Sequence, residues 1–437
     1  MQRCCATLGL SLIVSCGTVA AQQPPAAPSS PPFAFTNVDL DLLHQTNEID
    51  QQIDSEGSLY TDSKLADYVS AVGNDVLPQG LPDPLNVKWQ FHVLRDPFPN
   101  AFALPNGSIY VNTGLLALLE NEAQLASVLA HEETHVLNRH AYLENRKYRK
   151  KALAGNILSG VLGTNVPAVI LESTLYGYSR ELEKEADLHA VTATNDANYS
   201  TEEMIAALKL LDSPHEVDLS QHFYQDHPRL KDRIGYLSDA IEDTHTRTPH
   251  PLVEEERYFA ATEQVSRDNI PMDTNEGRQR TAVATAQRLV KKDPKSADNF
   301  RVLGDALRGL GPRTPDPTPE ELSSRGKKDE RKSLWKLTPQ EYEASLMASP
   351  AGKAAWDSNR KQSEDAYRKA VEIDPSLAAA HRGLGFLFEK EQLPAQCAVE
   401  FQKYLELAPN ATDQAQIRRR LETAQKQSAA NAPAPTP

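Results

Sequence analysis

Two histidines and a glutamate stand at the spacing of a metal-dependent hydrolase. His131, Glu132 and His135 form the pattern H-E-x-x-H. Residues four apart lie one above the other on a helix, so both imidazoles reach a single metal ion. The glutamate between them is placed to hold and deprotonate a water bound to that metal. Asn121 followed by Gln124 is a typical N-cap pair, which predicts that the motif lies on a helix.

A catalytic zinc site needs a third protein ligand and leaves one position open for water. Glu183 and Asp187 are also four apart, so they share one face of a second predicted helix. We expect Glu183 to bind the metal and Asp187 to accept the free ring N–H of a ligand histidine. A solvated acidic helix face is the alternative interpretation of this pair. The ligand types favour one Zn²⁺ per chain, although other divalent metals bind the same ligands.

These motifs resemble the zinc metallopeptidases of family forty-eight, the HtpX-like gluzincins. The resemblance extends over residues 40–240 and includes a segment at residues 100–116 and the run Asp226-His227-Pro228 followed by Arg233. Thr134 stands where the family usually has glycine, and residues 198–201 replace a typical turn. The family implies a gluzincin-like metalloprotease domain, here residues 37–245, with a small sheet over the zinc helix.

The resemblance also implies further site residues. His227 is expected to stabilise the transition state or to occupy the open metal position as a latch; a turn histidine held by Pro228 is the alternative. Arg233 is expected to pair with a carboxylate in the site or to fix helix packing. An extended substrate is expected to pair with a sheet edge in such proteases. The residues assigned to that edge are Asn100, Ala101, Phe102 and Ala103, although an ordinary core hairpin is equally compatible with them.

Two neighbours of the motif have other expected roles. Glu133 points away from the metal face and is expected to be replaceable. His140 follows His135 by five residues, so on a continuous helix it is rotated off the ligand face. We expect it on the surface or behind a ligand.

The N-terminus predicts export. Arg3 precedes a short apolar run that is too short to span a bilayer. Cleavage after Ala21 gives an ordinary signal peptide, residues 1–21. A lipobox ending at Cys16 gives a lipoprotein signal, residues 1–15, and an outer-membrane anchor. Either alternative predicts a periplasmic protein, with residues 22–36 as a Pro/Ala-rich linker.

Composition argues against nucleic-acid binding, a disulfide-stabilised fold and a transmembrane helix. The net charge of −14 disfavours nucleic-acid binding. Of four cysteines, only Cys397 lies beyond the leader, so no disulfide framework is expected. Residues 152–171 carry no charge but contain glycines and a proline, which favours two short apolar helices over a membrane span. Contact of this segment with lipid or unfolded substrate remains open.

Periodicity predicts an α+β, mostly helical fold. Residues 60–78 have helical apolar spacing, residues 87–93 alternate as a half-buried strand, and residues 108–112 form a second strand after Asn106-Gly107. Residues 246–280 are polar and have the composition of a domain connector.

The C-terminal part has an internal repeat. Pro375 and Pro409 are 34 residues apart, with Gly385 and Phe401 at tetratricopeptide spacing between them. This predicts an all-α tetratricopeptide-repeat domain at residues 281–425, with an insertion at about 310–360 and a disordered tail at residues 426–437. Cys397 takes the pattern's small-residue position, which indicates packing. The repeats form a docking groove for partner proteins or only support the protease domain.

Two functions follow. The first is an exported zinc endopeptidase for misfolded or unassembled envelope proteins, as the resemblance to the periplasmic, BepA-like branch of the family implies. Its repeats would dock to outer-membrane assembly machinery. The second is a non-enzymatic assembly factor or chaperone with a latent metal site. Retention of Glu132 favours the enzyme.

Overall fold

The computed structural model describes residues 34–78, 87–154, 178–212, 230–242, 249–314 and 338–430. Several predictions fall outside these ranges: the signal peptide with Cys16, most of the uncharged segment 152–171, His227, and the end of the C-terminal tail. Among the described residues, no helix combines the length and hydrophobicity that a bilayer crossing requires.

Helices enclose a small sheet in the N-terminal part. Asp62 fixes the start of the second helix because its carboxylate accepts hydrogen bonds from the backbone N–H of Lys64 and Leu65. That helix is therefore shorter than the predicted 60–78. The helices here are α1 (Asn37–Ser55), α2 (Ser63–Val76), α3 (Thr113–Leu118), α4 (Glu122–Leu137), α5 (His140–Ala154), α6 (Arg180–Asp196), α7 (Glu202–Leu211) and α8 (Leu230–Glu242).

The sheet has three strands, β1 (Gln90–Leu94), β2 (Ala101–Ala103) and β3 (Ser108–Asn112), in the order β1-β3-β2. The central strand β3 is parallel to β1 and antiparallel to β2. Gly107 makes the turn between β2 and β3 with φ of 98°, and a Cβ there would lie 2.3 Å from a methyl carbon of Val87. The α+β, mostly helical fold predicted from the sequence is confirmed.

The metal-motif helix α4 lies in the middle of the N-terminal core. It packs against α2, α6 and α7 on its sides and against β2 and β3 of the sheet. Leu125, Ala126 and Leu129 on this helix are fully buried in one hydrophobic cluster with Val69 of α2 and Ile109 of β3. The position of α4 is thus fixed by apolar contacts on several sides.

The predicted connector, residues 246–280, contains the long helix α9 (Glu255–Asn275), which packs against α3. Tyr258 and Val265 of α9 are buried in the same cluster as the metal-motif helix. The hydroxyl of Tyr258 donates to the carbonyl oxygen of Leu116 at 2.7 Å, near the end of α3. This segment is therefore a packed part of the N-terminal core as well as the start of the C-terminal helices.

The C-terminal part is helical, and most of its helices pack against the next helix in the chain. Close approach depends on small residues: a Cβ on Gly304 would lie 2.6 Å from the ring of Tyr367, and one on Gly385 would lie 2.4 Å from the ring of Phe401. Cys397 is buried in the same cluster as Phe401, which agrees with a packing role. The tetratricopeptide assignment itself stays a prediction.

The helices of this part are α10 (Gln279–Lys292), α11 (Ala297–Leu310), α12 (Pro339–Ala348), α13 (Pro350–Ile373), α14 (Ala378–Lys390), α15 (Pro394–Leu407) and α16 (Gln414–Ala430). Two of them, α12 and the first turns of α13, fall within the predicted insertion at 310–360. Residues 315–337 lie outside the described ranges.

The packing of α9 leads to a stability prediction. We expect Tyr258→Phe to lower the free energy of unfolding by about 1–3 kcal/mol, because the buried carbonyl oxygen of Leu116 loses its donor. Urea unfolding of the full chain measures this change. Tyr342→Phe on α12, where the residue is only half buried, is the control and should change stability far less. If both variants changed the free energy of unfolding equally, the hydrogen bond from Tyr258 to Leu116 would not be the cause.

Candidate metal centre

The N-terminal end of α4 is held by polar contacts from three directions. The Asn121 side chain accepts from the backbone N–H of Gln124 at 2.9 Å, which confirms the predicted N-cap. Glu122, fully buried in the first turn, accepts hydrogen bonds from the hydroxyls of Tyr68 at 2.8 Å and Tyr199 at 2.7 Å. Its third contact is Arg257 of α9, at 3.0 Å. These contacts fix the start of the helix that carries the motif.

His131, His135 and Glu183 converge at the point where α4 crosses α6. The Nε2 atoms of the two histidines are 3.1 Å apart. Each Nε2 lies 3.7 Å from one carboxylate oxygen of Glu183. Ligands bound tetrahedrally at about 2.0–2.1 Å from zinc are about 3.4 Å from each other. The three residues therefore fit a zinc ion with little movement.

Asp187 stands directly behind His131. Its carboxylate lies 2.9 Å from Nδ1 of His131, accepts two hydrogen bonds from Arg233 at 2.8 and 2.6 Å, and accepts one from the hydroxyl of Tyr236. Burial by itself would raise the pKa of Asp187, but the charge of Arg233 and the hydrogen bonds from His131 and Arg233 hold that pKa well below its usual range. An ionised Asp187 keeps the proton of His131 on Nδ1 and leaves the Nε2 lone pair for a metal.

Arg233 combines the two roles proposed from the sequence. It binds Asp187 through Nε and Nη2, and its Nη1 lies 3.4 Å from Glu183. Because the side chain belongs to α8 and both carboxylates belong to α6, the same contacts join these helices. Burial opposes its charge, but the two carboxylates keep the pKa of Arg233 above its usual value.

Glu132 lines a cleft beside the ligands. The cleft is walled by α4, by α7, and by Ala101 of β2. His131 and Arg233 line the same cleft. The cleft is thus bordered by Glu132, the predicted base, by the predicted ligand His131, and by Ala101 of the predicted substrate strand. His227 lies outside the described residues.

His140 lies behind the ligand His135, which is one of the two positions expected from the sequence. The surface alternative is wrong, because its side chain is fully buried and its Nδ1 lies 2.9 Å from Nδ1 of His135. The reason is a break in the helix: α4 ends at Leu137, and Arg139 adopts a left-handed φ of 59°. The chain reverses there and α5 begins, so helical periodicity no longer predicts where His140 points. Burial lowers the pKa of His140 to about 4, which keeps the ring neutral at neutral pH.

Other residues near the centre were not predicted from the sequence. The ring of Tyr178 stacks on His135, with centroids 4.0 Å apart. Tyr236 follows Arg233 by three residues, which is the helical spacing at which both reach Asp187. That spacing was a usable signal, whereas nothing local to Tyr178 indicated its partner.

Comparisons with known proteins agree with this geometry. Residues 64–241 match the model of Peptidase family M48. This part of the chain is an M48 peptidase domain. The family predicted from the sequence is thereby confirmed.

Named relatives fall into two groups. The mitochondrial metalloendopeptidase OMA1 of Schizosaccharomyces pombe is 30% identical over 189 residues, which cover 41% of this chain and 54% of the relative. The β-barrel assembly-enhancing protease of Yersinia pestis is 26% identical over 225 residues, which cover 48% and 45%. The protein of that name from Escherichia coli K12 is 24% identical over the same shares. The chain thus spans about half the length of the relatives it matches.

Glu133 is buried like its neighbours on α4. It stands out because neither of its carboxylate oxygens has a hydrogen-bond partner among the described residues. Burial raises the pKa of Glu133 well above its usual range. The folded protein therefore keeps this proton to a higher pH than the unfolded chain does. Stability consequently falls as the pH rises from the unfolded pKa, about 4.3, towards the raised pKa of the folded state.

We expect Glu133→Met to raise the free energy of unfolding by about 1–3 kcal/mol at pH 8, since it removes an unpaired buried carboxyl and keeps helix propensity. The gain should shrink as the pH falls and be smallest below about 4.3, where the carboxyl is protonated in both states. Urea unfolding at pH 5 and pH 8 measures both effects. Glu422→Met, at an exposed position of α16, is the control. A gain that did not depend on pH would contradict this account.

Proposed function

We propose that this chain is a zinc-dependent endopeptidase of the periplasm that hydrolyses peptide bonds of misfolded or unassembled envelope proteins. The observation that supports the hydrolytic activity best is the convergence of His131, His135 and Glu183 beside a cleft lined by Glu132. The names of the relatives, metalloendopeptidase and β-barrel assembly-enhancing protease, support the reaction type and the class of substrate. The predicted signal sequence supports export.

The proposed mechanism assigns one role to each group. His131, His135 and Glu183 would hold a zinc ion, which when bound would act as a Lewis acid and lower the pKa of a water molecule towards neutrality. Glu132 accepts the proton of the attacking water and then delivers it to the leaving amine. Asp187 orients His131, and Arg233 keeps the buried Asp187 ionised while it also contacts Glu183. His227 remains the predicted latch or transition-state stabiliser.

The substrate strand is proposed to add to the free edge of β2. In the described sheet β2 is an edge, and the register pairs Phe102 with Tyr110 of β3. Backbone hydrogen bonds join Asn100 to Asn112 and Leu104 to Ser108. The backbone N–H and C=O groups of the even-numbered residues of this strand therefore point towards β3. The N–H and C=O groups of Ala101 and Ala103 therefore point towards the open edge, where an extended peptide would bind. Ala101 also lines the cleft with Glu132.

The C-terminal helices are proposed to dock partner proteins, including outer-membrane assembly machinery. This follows from the predicted repeat pattern and from the name of the β-barrel assembly-enhancing relatives. A lipid at Cys16 and contact through residues 152–171 are the two proposed routes to the membrane. Nucleic acid is not a proposed partner.

Glu132→Gln tests the reaction. We expect kcat/KM for an unfolded casein substrate to fall about 100–10,000-fold, because the amide cannot act as general base. Bound zinc, measured by elemental analysis, should be unchanged since Glu132 is not a ligand. The matched control is Glu133→Gln at the adjacent glutamate, which should retain activity. Activity of the parent should be lost with a chelator and restored with Zn²⁺. Cleavage by Glu132→Gln would show that Glu132 is not the base. Absence of chelator-sensitive cleavage by the zinc-loaded parent would favour the assembly-factor function.

Ala103→Pro tests the substrate edge. Proline removes the outward N–H of Ala103 and leaves the bonds between β2 and β3 in place, because edge strands accept proline on the side away from the sheet. We expect a lower kcat/KM for casein with unchanged zinc content and thermal stability. Ala103→Val keeps the N–H and serves as the control. Equal activity of the proline and valine variants would rule out pairing at this position.

A further inference from the structure

The two ligand histidines are supported by different groups. Nδ1 of His131 faces the carboxylate of Asp187 at 2.9 Å, an arrangement in which the carboxylate accepts and the ring donates. Nδ1 of His135 faces Nδ1 of His140, also at 2.9 Å. An ionised carboxylate can only accept a hydrogen bond from an imidazole N–H. An imidazole nitrogen accepts when it lacks a proton and donates when it carries one. The support of His135 therefore depends on which nitrogen of His140 carries the proton.

The metal centre determines that choice. A histidine binds a metal through the nitrogen that lacks a proton, and Nε2 of His135 is the atom that faces His131 and Glu183. Its proton must then be on Nδ1, so Nδ1 of His140 must accept. Two N–H groups cannot face each other at 2.9 Å, and His140 consequently carries its own proton on Nε2.

The surroundings of His140 favour the same tautomer. Its Nε2 lies 3.8 Å from a carboxylate oxygen of Glu185, which is beyond hydrogen-bond distance but places an acidic group on the Nε2 side of the ring. Glu185 is positioned by the side chain of Asn138, which donates to it at 2.7 Å. The ring of Tyr178 stacks on His135 and meets His140 edge-on. Both imidazoles are thus enclosed, and His140 itself is fully buried.

We propose that His140 is a positioning residue that fixes the tautomer and ring orientation of His135 by accepting its Nδ1–H. The inference rests on the proposed metal function, since it concerns how a ligand is prepared. It extends that function because the two ligands are held differently: His131 by an ion-paired carboxylate, His135 by a neutral ring on the next helix. A histidine at the start of α5 thereby becomes part of the metal site.

Two substitutions separate the acceptor role from packing. Asn carries its side-chain oxygen on Cγ, the atom that carries Nδ1 in His, so His140→Asn can still accept from His135. Gln carries its oxygen one carbon further on, near the position of Nε2, so His140→Gln fills the space but loses the acceptor. We expect His140→Gln to weaken metal binding about 10–100-fold, and His140→Asn to stay close to the parent.

The measurement is the dissociation constant for Zn²⁺, from competition with a chromophoric chelator on the full-length metal-free protein. The visible absorption bands of the Co²⁺ form give a second readout, and we expect them to change in His140→Gln only. Thermal unfolding of the metal-free variants reports loss of packing separately. His381→Gln, at a buried histidine of the C-terminal helices, is the control and should bind metal like the parent. None of these readouts requires proteolysis. A failure of the proposed role of His140 can therefore be told apart from a failure of the proposed peptidase activity.

A measurement on the parent makes the proposal independent of whether a variant folds. Nitrogen-15 NMR of the histidine-labelled zinc form distinguishes protonated from unprotonated ring nitrogens. The expected result is a proton on Nδ1 of His135 and on Nε2 of His140. A proton on Nδ1 of His140 would overturn the proposal. So would unchanged zinc affinity in His140→Gln, or an equal loss of affinity in the Asn and Gln variants.

Discussion

The metal centre depends on one buried ion pair, that between Asp187 and Arg233. Asp187 is completely buried, and a buried carboxylate persists in ionised form only when it is paired and hydrogen-bonded. Arg233 supplies two hydrogen bonds and Tyr236 a third. Since both partners come from α8, the ionisation of a residue on α6 depends on the packing of a neighbouring helix. Loss of Arg233 would leave two carboxylates without a countercharge.

The ligand types around this pair suit a divalent cation. Glu132, Glu183 and Asp187 are buried acidic residues, and Arg233 is the one arginine among the described residues of the cleft and ligand set. Two imidazoles and one carboxylate are a set that divalent transition metals bind. The raised pKa of Glu133 keeps a further charge out of the same helix.

Much of the site was predictable because its ligands depend on local spacing. H-E-x-x-H and the pair Glu183 and Asp187 each require only helical periodicity, and the structure brings these residues together. The sequence left His140 open between the surface and a position behind a ligand, because one left-handed residue, Arg139, ends the helical period. The order of the strands was also not predictable: alternation identified β1 and β3, but their parallel pairing is a long-range contact. The polar composition of residues 246–280 concealed α9, whose few buried residues decide its packing.

The docking of α9 has a consequence for how the protein is divided. The family match ends at residue 241, yet Tyr258 and Val265 complete the hydrophobic cluster around α4, and Arg257 reaches Glu122 at its first turn. A fragment that ended at residue 241 would lack α9. The apolar side of α3 that α9 covers would then be exposed, and Glu122 at the start of α4 would lose its ion pair with Arg257. The peptidase domain and α9, the first helix of the following part, therefore share one hydrophobic cluster. A displacement of the C-terminal helices would therefore reach the helix that carries the metal motif through the contacts of α9.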